Sequence, residues 1–321
     1  MMYVCPSTKR SLISTSTGLQ RDDGKLYPYL QNDGNNVIPD FVDNYNSLFE
    51  QQNYNSPDAS KIYRNFLDWL FLSFNQDENV FRQNLIYHLK ANVGDKILVT
   101  GCGLGEDLQI IANIIGSKGV LCAQDLSKEM VLEAQKNFSK NCNILTPNFS
   151  VSDAMSLPFS NRFFDAVFHF GGINLFGDMR NAIQEMTRVT KIGGRIVFGD
   201  EGIAPWLRNT EYAKIAVCNN KLWEFEVPLS YLPINCINVN CSWVLGNCFY
   251  VIDFEVSEVE PFMNIDIPHE GYRGGTARSR YFGQLEGVMP ETKEKIISLA
   301  KKENISVHEW LEKVLNKALA E

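Results

Sequence analysis

The stretch Ile-Leu-Val-Thr-Gly-Cys-Gly-Leu-Gly at residues 97–105 decides the fold. An apolar, partly β-branched run leads into three glycines that alternate with other residues, and a helical pattern follows at 106–115. This order predicts a strand, a tight turn and a helix, because glycine adopts turn conformations that other residues resist. The glycines also leave no side chain in the way of a ligand, so the turn is a candidate binding loop.

Strands and helices alternate along the chain around this loop. Apolar periodicity predicts strands at 96–100, 120–125, 149–152, 164–168 and 194–199, and helices at 106–115, 127–138 and 178–189. Helices between successive strands imply parallel pairing with right-handed crossovers, so we predict a doubly wound α/β sheet. Two further strands at 239–245 and 249–256 are joined at Gly246-Asn247, which is typical of an antiparallel hairpin.

The composition of the 321 residues excludes several classes of function. Lys and Arg number 30 against 38 Asp and Glu, and the formal net charge of −8 argues against broad nucleic-acid binding. No apolar run approaches the roughly 20 residues that a membrane helix needs. The start of the chain lacks a signal-peptide pattern, and the eight cysteines form no C-x-x-C pair. We therefore expect a cytoplasmic protein without a membrane span, in a reducing compartment.

The residues after the glycine loop discriminate between two classes of ligand. Asp125 lies about 20 residues beyond the loop, where an acid binds ribose hydroxyls in dinucleotide folds and in folds for S-adenosyl-L-methionine (SAM) alike. A dinucleotide loop needs a further glycine at the helix start, where the pyrophosphate docks. Here Glu106 and Asp107 follow the loop, and we expect their charges to repel a pyrophosphate. SAM is therefore the favoured ligand.

The chain resembles the class I SAM-dependent methyltransferases, of the type 11 and ubiquinone–menaquinone kind, over about 93–256. The resemblance rests on the glycine loop, on Asp125-Leu126-Ser127 with Met130, on Ser152-Asp153-Ala154, and on 164–167 with 188–194. It implies a seven-stranded, mostly parallel sheet with one antiparallel strand, SAM as the cofactor, Asp125 at the ribose and Asp153 at the adenine. The residues implied to hold the cofactor are Thr100, Gly101, Cys102, Gly103, Asp125, Leu126, Met130, Asp153, Ala154 and Phe170.

One position departs from the family pattern. Val99 stands where the family often has an acid two residues before its first glycine, and Thr100 is the candidate substitute. The departure keeps a non-catalytic SAM-binding or scaffold protein as an alternative function. A nicotinamide-dependent oxidoreductase on the same kind of sheet is the less favoured alternative, because of the acids after the loop.

Three residues are candidate general bases, which methyl transfer needs only when the acceptor carries a proton of high pKa. His169 follows the fourth strand, Asp200 ends the fifth, and His269 begins an Arg- and Gly-rich segment. Parallel sheets bind ligands at the carboxyl ends of their strands, which favours the first two. The structural alternatives are a buried, hydrogen-bonded histidine and an acid that caps the next element.

The candidate acceptor-binding residues are Asn174, Arg273, Arg278, Arg280 and Tyr281. Three arginines within 273–280 stand out in an acidic chain, and arginine suits carboxylate or phosphate recognition. The alternative is that they pair with the surplus acids. Aromatic residues of an insert at 201–235 are typical either of a pocket for a flat acceptor or of packing core. We predict methyl transfer to an O, N or C atom of a small-molecule acceptor.

The ends of the chain predict flanking modules around this core. We expect a degenerate zinc-ribbon-like segment at 1–45, a helical cap at 46–92, the SAM-binding core at 93–258, a substrate loop at 259–289 and a helix pair at 290–321. A structural zinc needs four Cys or His ligands, and Cys5 stands alone before His88, so no metal is expected. The helix pair weakly resembles a ribbon-helix-helix element, which predicts either a homodimer surface or packing on its own chain.

Overall fold

The structure is a computed structural model that describes residues 2–30, 37–43, 58–141, 144–270, 274–281 and 288–320. The chain divides into two compact units, Met1–Pro261 and Phe262–Glu321. The predicted boundary between core and substrate loop, at 258/259, lies three residues before this division. Residues 44–57, at the start of the predicted helical cap, lie outside the described part.

The first unit begins with a small antiparallel sheet that precedes two helices. Its strands follow one another in chain order: β1 (Ile13–Ser14), β2 (Gly18–Gln20), β3 (Leu26–Leu30) and β4 (Ile38–Pro39). The helices are α1 (Ala59–Ser73) and α2 (Glu78–Tyr87), and the Asp77 carboxylate caps α2 by accepting from the Val80 N–H. The resemblance of the small sheet to a zinc ribbon stays a prediction.

The large sheet of the first unit contains seven strands. In chain order its elements are β5 (Lys96–Thr100), α3 (Leu108–Ile115), β6 (Val120–Asp125), α4 (Lys128–Asn141), β7 (Asn148–Val151), β8 (Phe164–Phe170), α5 (Met179–Val189), β9 (Thr190–Glu201), α6 (Glu211–Asn219), β10 (Cys236–Val244) and β11 (Phe249–Val256). The spatial order is β10-β11-β9-β8-β5-β6-β7, and β11 runs antiparallel to the other six strands. The predicted doubly wound, mostly parallel sheet is confirmed.

Several element boundaries differ from the sequence prediction, and those of α3 and β9 have a clear physical reason. Helix α3 begins at Leu108 rather than at 106, because Glu106 and Asp107 still belong to the turn. Strand β9 begins at Thr190 rather than at 194, since Thr190 pairs with Phe164 across an irregularity in the ladder. Gly193 and Gly194 lie inside this strand. Because glycine is unusual in a strand interior, the sequence prediction placed the start of the strand too late.

Apolar cores cover both faces of the large sheet, which explains why its central strands read as nearly continuous apolar runs. Strands β5 and β8 are neighbours, and the order of strands reverses between them. Ligands bind at such a switch point, beyond the carboxyl ends of the strands. Residues 101–105 and 171–175 leave β5 and β8 there.

The second unit contains α7 (Ala277–Tyr281), α8 (Pro290–Lys302) and α9 (Val307–Ala320). A capping box begins α9, since the Ser306 hydroxyl accepts from the Glu309 N–H and Glu309 accepts from the Ser306 N–H. In the described parts of both units, none of the helices combines the length and the apolar character that crossing a membrane requires.

Candidate active site

The glycine loop has the backbone conformation that its composition predicts. Gly101, Gly103 and Gly105 have φ angles of 59°, 52° and 83°, in the left-handed region that favours glycine. A Cβ on Gly101 would lie 3.0 Å from the imidazole of His169, and one on Gly105 would lie 3.2 Å from Ala134. The loop therefore needs glycine for its turn and for the close approach of its neighbours.

Asp125 fastens the glycine loop to the end of β6. Its carboxylate accepts the Gly103 N–H at 3.0 Å through Oδ2 and the Ser127 N–H at 2.9 Å through Oδ1. Burial raises the pKa of this carboxyl, while the backbone donors work against that shift. The side chain keeps partial exposure. It can therefore hold the loop and still present lone pairs to a hydroxyl-bearing ligand.

Apolar residues of the loop itself, of α4 and of α1 pack around the glycine loop. Met130 and Leu104 are buried against each other, and the ring of Tyr63 packs on both. The same ring would lie 3.6 Å from a Cβ on Gly103. Cys102 is also buried, and burial raises the pKa of its thiol, so it acts as an apolar side chain. The next predicted residue along the chain, Leu126, is half-buried between Asp125 and α4.

Asp153 and Ala154 follow β7 at the same edge of the sheet. The Asp153 carboxylate caps a 3-10 turn over Ala154–Ser156 by accepting the Met155 N–H at 2.8 Å. Burial raises the pKa of this carboxyl. The arrangement places an acid at the position that the family resemblance assigns to adenine, and its contact with a cofactor stays a prediction.

The side chains of Val99 and Thr100 both pack inside the sheet region of the fold. Val99 is buried in the apolar core. The Thr100 hydroxyl donates to the Phe168 carbonyl at 3.4 Å and lies near the Met186 sulfur. This placement favours the alternative of a strand-filling threonine over a substitute for the missing acid.

His169 is buried beneath the glycine loop with one nitrogen unpartnered. Its Nδ1 lies 2.9 Å from the Thr100 carbonyl, and a carbonyl only accepts, so Nδ1 carries the proton. Nε2 then presents a lone pair, and no hydrogen-bond partner reaches it within the described residues. Burial lowers the pKa of this imidazole against the opposing charge of Asp200, so the ring is neutral near pH 7. The imidazole is thus fully buried and neutral with an unpartnered acceptor nitrogen, which is the protonation state that a general base requires.

Asp200 and Asn174 instead belong to a closed hydrogen-bond network. The Asp200 carboxylate is fully buried and accepts the Asn174 N–H at 2.7 Å and the Glu201 N–H at 2.8 Å. The Asn174 amide donates to the Glu201 carbonyl at 2.6 Å and accepts from the Tyr250 hydroxyl at 3.2 Å. These contacts join the end of β9 to the turn after β8, and they favour the structural alternative for both residues.

Glu201 is an acid that the candidate residues did not include. Burial and the adjacent Asp200 carboxylate raise its pKa to about 9. The Asn220 amide, from the end of α6, lies 3.2 Å from its Oε1. Glu201 is therefore protonated at neutral pH. Two consecutive acids at a strand end were the only signal in the sequence, and nothing there told which of them would keep its proton.

A cluster of aromatic rings packs against the sheet at the end of β8. Phe170 stacks on Phe249 at 5.9 Å and meets the edge of Phe81 at 5.5 Å. Trp223, from the insert, lies 6.2 Å from Phe249 and 6.4 Å from Trp69. Trp223 is buried, and its Nε1 has no hydrogen-bond partner in the described part of the chain. This ring of the insert therefore packs as core and also carries one unused donor.

Two glycines that follow β8, Gly171 and Gly172, have open space around them. A Cβ on Gly171 or Gly172 would meet no atom within 4 Å, and both have positive φ angles. The segment after β8 therefore borders open space at Gly171 and Gly172. That space is where the resemblance brings cofactor and acceptor together.

The predicted acceptor-binding arginines lie in the second unit. Arg278 forms a bidentate pair with Asp266 at 2.6 and 2.8 Å, and Arg280 donates to the Gly274 carbonyl. The contact of Arg278 favours the alternative in which the arginines pair with the surplus acids. The predicted His269 donates its N–H to the Gly275 carbonyl at 2.7 Å, and the predicted Tyr281 is exposed. Arg273 lies outside the described residues.

The acids after the glycine loop are compensated by arginines from α1 and α2. Arg82 places one nitrogen 3.0 Å from both oxygens of Asp107, and Arg64 lies 3.7 Å from Glu106. The expected repulsion of a pyrophosphate by these two carboxylates is therefore weaker than the sequence indicated. The feature that still disfavours a dinucleotide is the loop spacing, which lacks the further glycine at the helix start.

Comparison with known proteins agrees with this geometry. Residues 97–194 match the family described as a methyltransferase domain. Demethylmenaquinone methyltransferase of Desulfitobacterium hafniense is 27% identical over 161 residues, covering 50% of this chain and 62% of the relative. A 2-phytyl-1,4-naphtoquinone methyltransferase of Synechococcus elongatus is 26% identical over 164 residues, covering 51% and 65%. The chain thus spans less than two thirds of either relative.

A solved structure adds one comparison of folds. Phosphoethanolamine N-methyltransferase 2 of Haemonchus contortus, in complex with SAM, is 13% identical with a TM-score of 0.49, covering 69% of this chain and 62% of that chain.

The strand order and the glycine loop are those of the class I SAM-dependent methyltransferase fold, and residues 97–194 match a methyltransferase domain. SAM is the cofactor that the sequence predicts for such a domain. The residues present fit that cofactor, because the left-handed loop cannot take side chains at Gly101 and Asp125 is held with part of its surface exposed. The expected class of protein is confirmed.

Proposed function

We propose that the protein is an enzyme that transfers the methyl group of SAM to a small-molecule acceptor. The observation that carries the proposal is the carboxylate of Asp125 holding the glycine loop at the switch point of the sheet. That carboxylate and the loop would bind the ribose and the methionine part of SAM, and Asp153 would bind the adenine. When bound, SAM supplies an electrophilic methyl group on a sulfonium.

The residues of the chain would act mainly by positioning. An acceptor atom held in line with the methyl–sulfur bond gains much of the rate enhancement from orientation alone. His169 is the base that the geometry favours, because its Nε2 lone pair is unpartnered and its Nδ1–H is held by the Thr100 carbonyl. It would take a proton from an acceptor hydroxyl or enol as the new bond to the methyl group forms.

We propose a flat aromatic acceptor of the quinol type. The two relatives above are named as methyltransferases of a demethylmenaquinone and of a phytylnaphthoquinone. Phe170, which is half-buried at the end of β8, would favour a flat, apolar molecule over a charged one. The methylated atom, oxygen or carbon, is left to the experiment.

The test combines binding and turnover. Calorimetry with SAM, S-adenosylhomocysteine and NAD should show binding of the first two only. Turnover of methyl-labelled SAM is then measured against chemically reduced demethylmenaquinone, a catechol and phosphoethanolamine, and the quinol should be methylated fastest. Binding of NAD without SAM would overturn the methyltransferase assignment. Binding of SAM without turnover of any acceptor in a metabolite extract would instead support a non-catalytic SAM-binding protein.

We further propose that the helix pair is a homodimer surface. Among the apolar residues described in α8 and α9, Ala300 is buried, while Leu315 and Leu319 are exposed. Sedimentation should show a dimer that Leu315→Lys and Leu319→Lys convert to a monomer; a monomeric wild type would remove the idea. The cytoplasm remains the predicted location, because the cysteine pattern favours a reducing compartment.

A further inference from the structure

We propose that the N-terminal sheet, residues 2–30 and 37–43, is an intramolecular clamp that sets the affinity of the domain for SAM. The inference rests on the proposed function in one respect, which is that the ribose and adenine of SAM lie at Asp125 and Asp153. Its evidence is that the N-terminal sheet contacts the chain directly after each of those two acids.

The first contact holds the segment after Asp125. The Asp40 carboxylate lies 2.8 Å from the Lys128 ammonium, and the Asp40 side chain is 5% exposed. The same carboxylate accepts the Val42 N–H at 3.1 Å, which orients it. Lys128 begins α4, three residues after Asp125. An ion pair with one partner buried therefore fixes where the ribose-binding segment leaves the sheet.

The second contact extends the large sheet at its edge. The Phe41 N–H donates to the Val151 carbonyl at 2.8 Å, and Asp40 forms a parallel bridge to Val151. Val151 ends β7, the edge strand of the large sheet, two residues before Asp153. The N-terminal sheet thus supplies backbone pairing to an edge that the strands of the large sheet leave open.

The third set of contacts holds the turn after Asp153. The Ser156 hydroxyl donates to the Pro6 carbonyl at 2.9 Å, and the Val4 N–H donates to the Pro158 carbonyl at 2.9 Å. Lys9 lies 2.7 Å from Glu185 of α5 and 3.4 Å from the Leu157 carbonyl. Both the strand that enters the adenine position and the turn that leaves it are therefore tied to the N-terminal sheet.

The N-terminal sheet has an interior of its own that makes it firm enough to act in this way. Cys5, Leu12, Tyr27 and Phe41 are buried together. Burial would raise the pKa of Cys5, but hydrogen bonds with Ser7, Thr8 and Tyr27 outweigh it and lower the pKa to about 5. Cys5 is thus satisfied by its neighbours, at the one position where a cysteine of the predicted zinc ribbon remains.

These contacts lower the cost of binding rather than touch the cofactor. When the binding-competent arrangement is only partly populated, the apparent affinity falls by that fraction. Two loops held before SAM arrives need no ordering on binding. The N-terminal sheet should therefore change the dissociation constant for SAM and leave the chemical step unchanged.

The experiment measures SAM binding to full-length variants by calorimetry. Asp40→Asn and Lys128→Met should each weaken SAM and S-adenosylhomocysteine roughly tenfold. The double variant should be no weaker than either single one, because both remove the same pair. The turnover number at saturating SAM should match that of wild type. The matched control is Asp22→Asn, which breaks an exposed ion pair with Arg10 within the N-terminal sheet.

Each outcome either supports or overturns a proposal. A tenfold loss in both single variants, with the control at wild-type affinity, supports the clamp. Wild-type affinity in Asp40→Asn and Lys128→Met overturns it, and so does an equal loss in Asp22→Asn. A wild type that binds no SAM overturns the proposed function itself. Melting temperatures of all variants separate loss of fold from loss of affinity, since ligand binding is measured well below the transition.

Discussion

Two carboxylates at strand ends, Asp125 on β6 and Asp200 on β9, have nearly the same local contacts and opposite accessibility. Each accepts two backbone N–H groups. Asp125 keeps part of its surface exposed beside the glycine loop, whereas Asp200 is fully buried beneath the turn after β8. An acid at the end of a parallel strand is therefore a ligand-binding group only when its remaining lone pairs reach open space.

The comparison predicts the largest effect for Asp125. Asp125→Ala should weaken SAM binding roughly 1000-fold, because it removes the carboxylate that the proposed function assigns to two charge-assisted hydrogen bonds with ribose. Calorimetry measures the affinity and a thermal melt the stability. The matched control is Asp165→Ala, an acid on β8 that accepts the Lys96 N–H at 2.9 Å away from the glycine loop. Equal loss of affinity in both variants would remove the distinction.

Asp200 should show the reverse pattern. Asp200→Asn should lower the free energy of unfolding by about 3 kcal/mol, because a buried carboxylate that accepts two N–H groups becomes a poorer acceptor. SAM affinity should stay within about twofold of wild type, a difference well under 1 kcal/mol. Chemical denaturation gives the first quantity and calorimetry the second. A variant that melts like wild type but has no turnover would make Asp200 a catalytic residue.

His169 is linked to both regions. Its imidazole lies beside Gly101 of the glycine loop, and the charge of Asp200 acts on its pKa. His169→Gln should reduce the turnover number about 100-fold, the low end of the range for general bases. Because burial lowers the pKa of His169, wild-type kcat/KM should fall only below the usual histidine pKa of about 6.5. Steady-state rates across pH, with and without the substitution, test this. An unchanged acid limb in the variant would assign the titration to another group.

The smallest effect concerns the neighbour of Asp200. The pKa of Glu201 is raised from 4.5 to about 9, so its contribution to stability is complete below pH 4.5 and is lost as the pH rises towards 9. Glu201→Gln removes that loss and should stabilise the protein by about 1–2 kcal/mol at pH 8 relative to wild type. Denaturation at pH 5 and pH 8 measures the change. Glu258→Gln, at an exposed acid paired with Arg162, is the control and should keep the pH dependence of wild-type stability.

Much of the cofactor side could be predicted from the sequence because its signals are local. Three glycines, an acid about 20 residues later and alternating elements lie within one continuous stretch, and a parallel α/β sheet with a binding loop follows from them. Asp200 could not be assigned in this way, since its partner Asn174 comes from another strand end and Tyr250 from a third. The pair Asp40–Lys128 joins residues that no periodicity connects. Arg82 likewise compensates Asp107 from a helix whose position depends on the whole fold.

The position of β11 has a consequence for how the protein is made. Strand β10 precedes β11 in the chain but lies outside it, so β11 is the strand that covers the free edge of β9. During synthesis that edge stays open until residue 256 has left the ribosome, and the hairpin must then dock as one piece. An open edge of this length is a site for wrong pairing between nascent chains. Ribosome stalling before this point should therefore increase aggregation more than stalling after it.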